Sequence, residues 1–477
     1  MKYIIYFFFL ILLINSCRKD DEFTSSPVLL NFSTDTLNFD TIFSLKDSAM
    51  IGLPKSITLQ VRVTNPNENA VKTNISLAGN QYGVFKLNAD GISGSGISQS
   101  INDVEIRGKD SIYIFVQAYI NQNNQNTPFV VYDNILFNTN GKAQNVNLVA
   151  WGQDAHFLRD SILPENTTIT WNDDKPYVIY NSILVPNTST LKINPGVKVY
   201  SHVGSSIFVN GSLNIDGTAD NPVVLQGDRL DDDYKEVAGQ WQGVHLLSLS
   251  KNNKIKGAVI KNGFIGVRVD SLSQNANPKL TMSQTIVQDM SAVGVLCYSA
   301  QVKLDNNVVS HCGQYNFIGE YGGDYELTFN TFAGLGGSQA RRNASVVLSN
   351  TPYVDVNNVV TKFSLSYNLR NNIIWGSNED EIDFVRDENG IFGTRKISFN
   401  NIRSVLFRDE ILQNTVDISN NQIDSDPLFV DFNKKNFRLK AGSPCIGAGL
   451  FINTFQVDVT NKFRNNPNTS IGAYEAD

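Results

Sequence analysis

Hydrophobic and polar positions alternate along most of the chain, and the length of the alternating runs changes near residue 156. Upstream, the runs are long enough for ordinary strands. Leu59, Val61 and Val63 share one face of Thr58–Thr64, and Ile112, Ile114, Val116 and Ala118 share one face of 111–120. Val146, Leu148 and Ala150 close the set. Period two marks a half-buried strand, because successive side chains leave opposite faces of the pleat. Asn138-Thr139-Asn140-Gly141 lies between the last two runs, and its residues tolerate the positive φ of a hairpin turn. Several short strands separated by Asn, Pro and Gly turns predict a β-sandwich over 28–155.

From His156 onward the runs shorten and are broken by Asn, Gly and Asp every several residues. They also repeat. Lys279-Leu280-Thr281-Met282 precedes Ile286-Val287, Val302-Lys303-Leu304 precedes Val308-Val309, and Glu326-Leu327-Thr328-Phe329 precedes Thr331-Phe332. Met282, Leu304 and Phe329 are expected to be equivalent, separated by a short solenoid repeat of roughly 20–29 residues. A single rung cannot bury its apolar side chains, so the unit must stack. Asparagine pairs recur at run ends: 306–307, 357–358, 371–372, 400–401 and 420–421. Asparagines at a tight corner can bond along a stack and accept the left-handed conformation that such corners need. Loop asparagines are the plainer reading. The register between Gly334 and Tyr367 does not resolve into rungs, so insertions are expected there.

The N-terminus reads as an address. Met1-Lys2 precedes an unbroken apolar run from Tyr3 to Ile14. The run is shorter than the ~20 residues that a bilayer requires and fits a signal peptide. Leu13-Ile14-Asn15-Ser16-Cys17 resembles a bacterial lipobox, with Asn15 departing from the usual residue. Arg18-Lys19-Asp20-Asp21-Glu22 resembles the export signal of surface lipoproteins of Bacteroidota. These resemblances imply a signal peptide (1–16), a tether (17–27) lipidated on Cys17, and an outer-membrane protein displayed at the cell surface through its lipid alone. Asp-(Ser/Thr)-small tripeptides resemble the O-glycosylation sequon of that phylum, making Thr36, Thr41, Ser48, Ser111, Ser161 and Ser271 candidate acceptors.

Two longer resemblances follow. Val61–Leu77, with Thr64-Asn65-Pro66, and the ending Val149–Ala155 resemble Ig-like domains of the Hydin type, which act as spacers or adhesion units. Tyr177–Leu225 resembles the opening coils of right-handed parallel β-helices of the pectate-lyase-like superfamily, and Gln240-Trp241-Gln242-Gly243-Val244 resembles the tryptophan–glycine step of the next coil. Asp426-Pro427-Leu428-Phe429-Val430-Asp431, Asn436–Leu439, Ala441–Gly449 and Ile471–Glu475 resemble the ending of bacterial β-helix proteins of the choice-of-anchor type. That ending is expected to close the last coil. The implied fold is all-β: an Ig-like sandwich over 28–155, then a right-handed parallel β-helix over 156–477.

Composition narrows the partners. A net charge of −7 gives no long-range attraction for nucleic acid or an anionic bilayer. The four cysteines include Cys17, so Cys297, Cys312 and Cys445 cannot build a full disulfide framework. Cys297 with Cys312 is the nearest pair; small buried residues are the alternative. No cofactor is implied beyond calcium, for which Asp228, Asp231, Asp232 and Asp233 are candidate oxygen ligands, or else a solvated acidic loop. His311, Glu320, Tyr321, Asp324 and Glu326, followed by Arg341-Arg342, offer a lyase a base (Arg342 or His311) and an acid (Tyr321), or else are unrelated surface residues. Glu379, Asp380, Glu381 and Asp383 read as a turn. The polygalacturonase signature is incomplete, since Asp231-Asp232-Asp233 lacks its companions. Trp241, Tyr315, Tyr321, Tyr325 and Trp375 are candidate sugar platforms, or core. The preferred reading is a binder or adhesin for a glycan or other surface ligand; a polysaccharide lyase or other carbohydrate-active enzyme is the alternative, and a stalk role a third.

Overall fold

The structure, a computed structural model, describes residues 22–44, 57–80, 83–120, 126–334 and 341–476. The chain parts into two compact units between Asp154 and Ala155. Cys17 and Ser48 lie outside the described residues.

The first unit is a sandwich of two five-stranded sheets. Thr58–Thr64 pairs antiparallel with Ser111–Ala118, which pairs in turn with Phe85–Ala89. In the other sheet Lys142–Asp154 pairs antiparallel with Phe129–Thr139 and parallel with Thr36–Ser44. The expected inward residues, Val61, Val63, Ile114, Val116, Leu148 and Ala150, are buried in one core with Phe39, Phe85 and Phe137. Asn140 (φ 51°) and Gly141 (φ 83°) make the hairpin turn, both left-handed as a two-residue hairpin with the right twist requires. Thr36, Thr41 and Ser111 lie partly exposed on strands.

The second unit is a right-handed parallel β-helix. One coil shows the plan. Gln301–Asp305 forms the first face, Val308–Cys312 the second and Tyr315–Glu320 the third; Gly323–Thr328 then begins the next coil. Each strand pairs in parallel with its counterpart one coil on, so identical positions stack. Met282, Leu304, Leu327, Leu369 and Ile397 form one buried row of the first face. Val267, Val295, Phe317, Val346 and Ile382 form one of the third. The counterpart of Leu304 is thus Leu327, two residues before the expected Phe329. Phe329 is instead a corner residue at φ 57°. The ambiguous stretch holds an insertion, a short hairpin of Tyr353–Val354 with Val360–Thr361 between a third-face strand and the next first-face strand. Ser161 is partly exposed on the strand His156–Ile162, and Ser271 occupies a corner at φ 62°.

Of the aromatic side chains that could be platforms or core, two are core. Trp241 is wholly buried and donates its indole N–H to the Lys261 carbonyl at 2.9 Å. Tyr325 is wholly buried, its hydroxyl bonded to the Gly322 carbonyl at 2.6 Å. A large ring fills the solenoid interior, and its one polar atom finds a backbone partner. Trp375 is half-buried among residues of the C-terminal segment. Cys297, Cys312 and Cys445 are free, buried thiols, so no Cys297–Cys312 bond forms.

The tight corner between the first and second faces carries a buried asparagine ladder. Asn330 Oδ1 accepts both the backbone N–H (3.1 Å) and the Nδ2 (2.9 Å) of Asn307. Asn372 does the same for Asn330, Asn400 for Asn372 and Asn421 for Asn400. Each Nδ2 donates also to the carbonyl of the second-to-last residue of a first-face strand one coil back, such as Met282 for Asn307 and Leu327 for Asn372. Of the five predicted pairs, three supply a rung through their second member, the first being left-handed; for 400–401 the rung is Asn400 itself, after Phe399 (φ 57°). Asn330 is a rung without a pair, and Asn357-Asn358 belongs to the inserted hairpin, where Asp355 caps the Asn357 N–H.

The C-terminal segment does not close the last coil. It runs along the outside of the second face, where Phe429, Phe437, Cys445, Val459 and Ile471 cover Val308, Ala333 and Ile373. Its landing points span several coils: Gln284 to Asp458, Thr331 to Ala473, Asn371 to Leu450 and Gln422 to Pro444. The physical reason is that outward second-face positions are apolar there and must be covered. The far end of the core is met instead by the four-residue helix Arg408–Ile411, which buries Ile411. Arg464 anchors the segment. Its wholly buried guanidinium donates to Asn306 Oδ1 at 2.6 Å, lies 3.5 Å from Glu475 and sits 3.7 Å from the Phe329 ring centroid.

Replacing Asn372 by alanine removes the acceptor of the buried Asn330 N–H and a donor to the Leu327 carbonyl. The expected loss is about 2–6 kcal/mol by denaturant unfolding, from about one to three kcal/mol for each buried polar group that loses its partner. Asn357→Ala, off the ladder, should stay within about 0.5 kcal/mol. Arg464→Ala strands buried Glu475 and should cost about 3–5 kcal/mol. Limited proteolysis is expected to trim 426–476 from that variant while the coils persist.

Candidate functional site

The outer side of the third face bears a concave surface. Outward positions run in register from coil to coil: Arg268, Leu296, Ile318, Val347 and Asp383. The middle three are apolar and buried, although they point away from the core. Two loops rise beside them, 341–344 and 377–380, and enclose an open cavity of about 890 Å³. Tyr315, Ile318, Val347 and Ile382 form its apolar part, while Glu320, Tyr321, Arg342, Asn378, Glu379 and Asp383 supply polar groups.

A buried ion pair fixes the two loops. Glu381, wholly inaccessible, meets the Arg341 guanidinium and accepts the N–H of Ser345 (3.1 Å) and of Asn378 (2.8 Å). Arg341 also donates to the carbonyls of Asn343 and Gly334. The pair fits because two stacked strand positions below it are glycine. A Cβ on Gly334 would lie 2.0 Å from Arg341 Nη2, and one on Gly376 2.0 Å from Glu381 Oε1. Asp380 is likewise committed, its Oδ1 accepting from Ser404 Oγ (2.7 Å) and from the N–H of Val405 and Leu406. The acidic run predicted as a plain turn therefore divides. Asp380 and Glu381 build the wall, and Glu379 and Asp383 face the cavity.

The local electrostatics follow from crowding. Burial pushes the Glu320 carboxyl above its ordinary value. Burial, with the neighbouring Asp380 charge, does the same for Asp383. Burial also raises the phenols of Tyr315 and Tyr321. Beside the cavity, Tyr298 and Tyr321 stack at 5.6 Å between centroids, and Tyr321 meets Tyr353 edge to face at 5.4 Å. This row was not read from the sequence. One coil forward from Tyr298 is Glu320, so Tyr321 is its neighbour at the next corner.

The predicted lyase set is brought together only in part. Tyr321, Glu320 and Arg342 line the same cavity. His311 stands on the second face, 6.1 Å from Phe437 of the C-terminal segment, with burial holding its imidazole below its ordinary pKa. Asp324 and Glu326 lie on the first face, Glu326 paired with Lys303 at 2.9 Å. Residues about ten apart in sequence occupy different sides because each coil turns through two corners in that distance. His311 is thus no partner for Tyr321.

The acidic loop does not assemble a calcium site either. Asp228 bonds His202 at 2.6 Å, Asp231 accepts from Arg229 at 2.7 Å, Asp232 pairs with Lys235 at 2.6 Å, and Asp233 is exposed. Each of the first three carboxylates already has a cation or imidazole. No cluster of three or more His, Cys, Asp or Glu residues is disposed to hold a metal among the described residues.

Residues 164–294 match the family described as a pectate-lyase like beta helix domain. The match ends before Tyr315, so the cavity lies beyond it. No curated protein matches the sequence. Among solved structures, the chain is similar to pectate lyase Pel9A (12% identity, 68% of this chain and 88% of that one, TM-score 0.32). It is also similar to the catalytic unit of a GH87 alpha-1,3-glucanase from Streptomyces thermodiastaticus (10% identity, 72% and 73%, TM-score 0.31). A third similarity is to the YadV chaperone (12% identity, 26% of this chain, TM-score 0.17), of which the chain spans about half, 51%. Likenesses of this size place no residue and assign no activity.

Two outcomes test this geometry. Arg341→Ala leaves Glu381 buried without its cation, with an expected cost of about 3–5 kcal/mol in equilibrium unfolding. Cys297, Cys312 and Cys445 are buried and their thiols are pushed up, Cys445 to about 12. A thiol reagent at about pH 8 should leave all three unmodified until denaturant is added.

Proposed function

We propose that this protein is a lipid-anchored, cell-surface glycan-binding protein whose binding groove is the third-face cavity. The observation that carries this reading is the composition of that cavity. An apolar floor with Tyr315 and Tyr321 lies beside a few polar groups, Glu320, Asn378 and Asp383, the pattern by which concave sites hold organic ligands. Sugar rings present apolar C–H faces and equatorial hydroxyls, and need both kinds of contact. The lipobox-like Cys17 and the acidic run after it support display at the outer membrane, with the sandwich as a spacer.

A hydrolytic reading has one observation in its favour. Two carboxyls with raised pKa, Glu320 and Asp383, share a cavity, and a protonated carboxyl is what general-acid cleavage of a glycosidic bond needs. A calcium-assisted lyase draws less support, with His311 elsewhere and the acidic loop paired off.

The test uses the soluble form beginning after Cys17. It is titrated with a polysaccharide panel by calorimetry, and the same mixtures are followed by ultraviolet absorbance and reducing-end release, with calcium and with chelator. Binding without turnover is expected, weakened about tenfold by Tyr321→Ala, a change near 1.4 kcal/mol. Release of reducing ends, abolished by Glu320→Gln, would establish the hydrolase instead. In cells, labelled fatty acid should be incorporated into the protein and not into Cys17→Ala; unchanged labelling would refute the anchor.

A further inference from the structure

The charges around the groove are one-sided. Its carboxylates are Glu320, Glu379, Asp380 and Asp383, and Arg342 is its one lining cation among the described residues. The nearby cations are already engaged. Arg386 is held by both oxygens of Glu410 at 2.5 and 2.6 Å, and Arg268 by Asp270 at 2.8 Å. A polyanion entering this space would lose hydration and meet like charge in a poorly screened recess.

A second observation sets a direction. Tyr298, Tyr321 and, on the inserted hairpin, Tyr353 follow one another in contact; Tyr321 lines the cavity, and the other two extend the row beyond it. The ring centroids step by 5.6 and 5.4 Å. That is close to the advance per sugar of an extended chain. Each tyrosine carries an uncharged hydroxyl able to donate and accept. The buried strip Leu296, Ile318 and Val347 runs parallel to it. At the far end the row stops where Arg268 sits over the Tyr298 ring at 5.2 Å.

We propose that the groove selects an uncharged glycan lying parallel to the solenoid axis, between the Tyr298–Tyr321–Tyr353 row and the carboxylates, and that polyuronates and sulfated chains are excluded. This rests on the glycan-binding reading and adds to it a charge class and an orientation.

The experiment compares neutral polysaccharides of several backbones, each with its own carboxymethylated derivative, by calorimetry on the intact soluble chain. At least one neutral chain is expected to bind. Its carboxymethylated form should bind about tenfold or more weakly at low salt, with the gap closing as salt shortens the Debye length from ~10 Å at 0.1 M towards ~3 Å at 1 M. Combining Glu320→Gln, Glu379→Gln and Asp383→Asn should narrow the gap, and Arg342→Ala should widen it. Equal or tighter binding of the carboxymethylated form would overturn the charge selection and leave the glycan reading standing. Binding of neither form across the panel would overturn the glycan reading itself. Orientation is read from chain length. Tyr298→Ala should weaken long oligosaccharides several-fold and leave disaccharides unchanged, with Tyr298→Phe retaining the packing as the control for folding. Loss independent of length, or no loss, would overturn the axial placement.

Discussion

The asparagine ladder is the constraint from which the solenoid's outer surface follows. Backbone hydrogen bonds between parallel strands are indifferent to register, since a strand slipped by two residues makes as many of them. The side-chain amide of Asn330 is not indifferent. It must meet Asn307 on one side and Asn372 on the other, while its Nδ2 reaches the Leu304 carbonyl. All four groups are buried, so a slip would strand several polar atoms at once, a penalty far larger than the few tenths of a kcal/mol that distinguish ordinary packings. With that corner pinned, every position three or more residues away is placed too. The apolar strip of the third face, and the step from Tyr298 to Tyr321 beside it, are in line only because the ladder holds the coils in step.

Where the regular coil is interrupted, buried charge replaces backbone pairing. Residues 341–344 and 377–380 lie outside the strands, and the Arg341–Glu381 pair joins them. The C-terminal segment has few strand bonds to the coils, and Arg464 with Glu475 locates it. A buried pair of this kind is weak as a source of net stability, because desolvation offsets attraction. Its effect is specificity. Alternative loop placements would leave a bare charge inside the protein.

Much of the fold was legible in the sequence, for physical reasons that particular residues show. Period two found the sandwich core because Val61 and Val63 alternate with Gln60 and Arg62 on a half-solvated strand. Repeating Leu-Thr-Met and Lys-Leu runs revealed the coils because parallel stacking demands like beside like. The strand Phe129–Thr139 was passed over because its burial alternates only in its second half. Phe329 was mistaken for a rung since a phenylalanine at a left-handed corner is unusual; only the burying Arg464, far along the chain, explains it. The groove was half legible. Tyr321, Glu320 and Arg342 were singled out by type, but which of their neighbours share a face depends on corners whose positions composition does not reveal. Thus His311 was included, and Tyr298, Tyr353 and Asp383's role in the cavity were not recognised. Trp241 and Tyr325 were left open between two roles, because an aromatic ring is equally suited to a core and to a platform and only burial distinguishes the two.

The path of the C-terminal segment changes how the solenoid behaves as a thermodynamic system. A stack in which each coil touches only its neighbours behaves as a one-dimensional chain, able to fray from either end one unit at a time. Here a single covalent strip is bonded to Gln284, Thr331, Asn371 and Gln422, points dispersed over several units. Opening the terminal coil would loosen the strip's hold on coils well inside the stack. Partial melting therefore carries an added cost, and a stack that would otherwise unzip is converted towards one that unfolds as a whole.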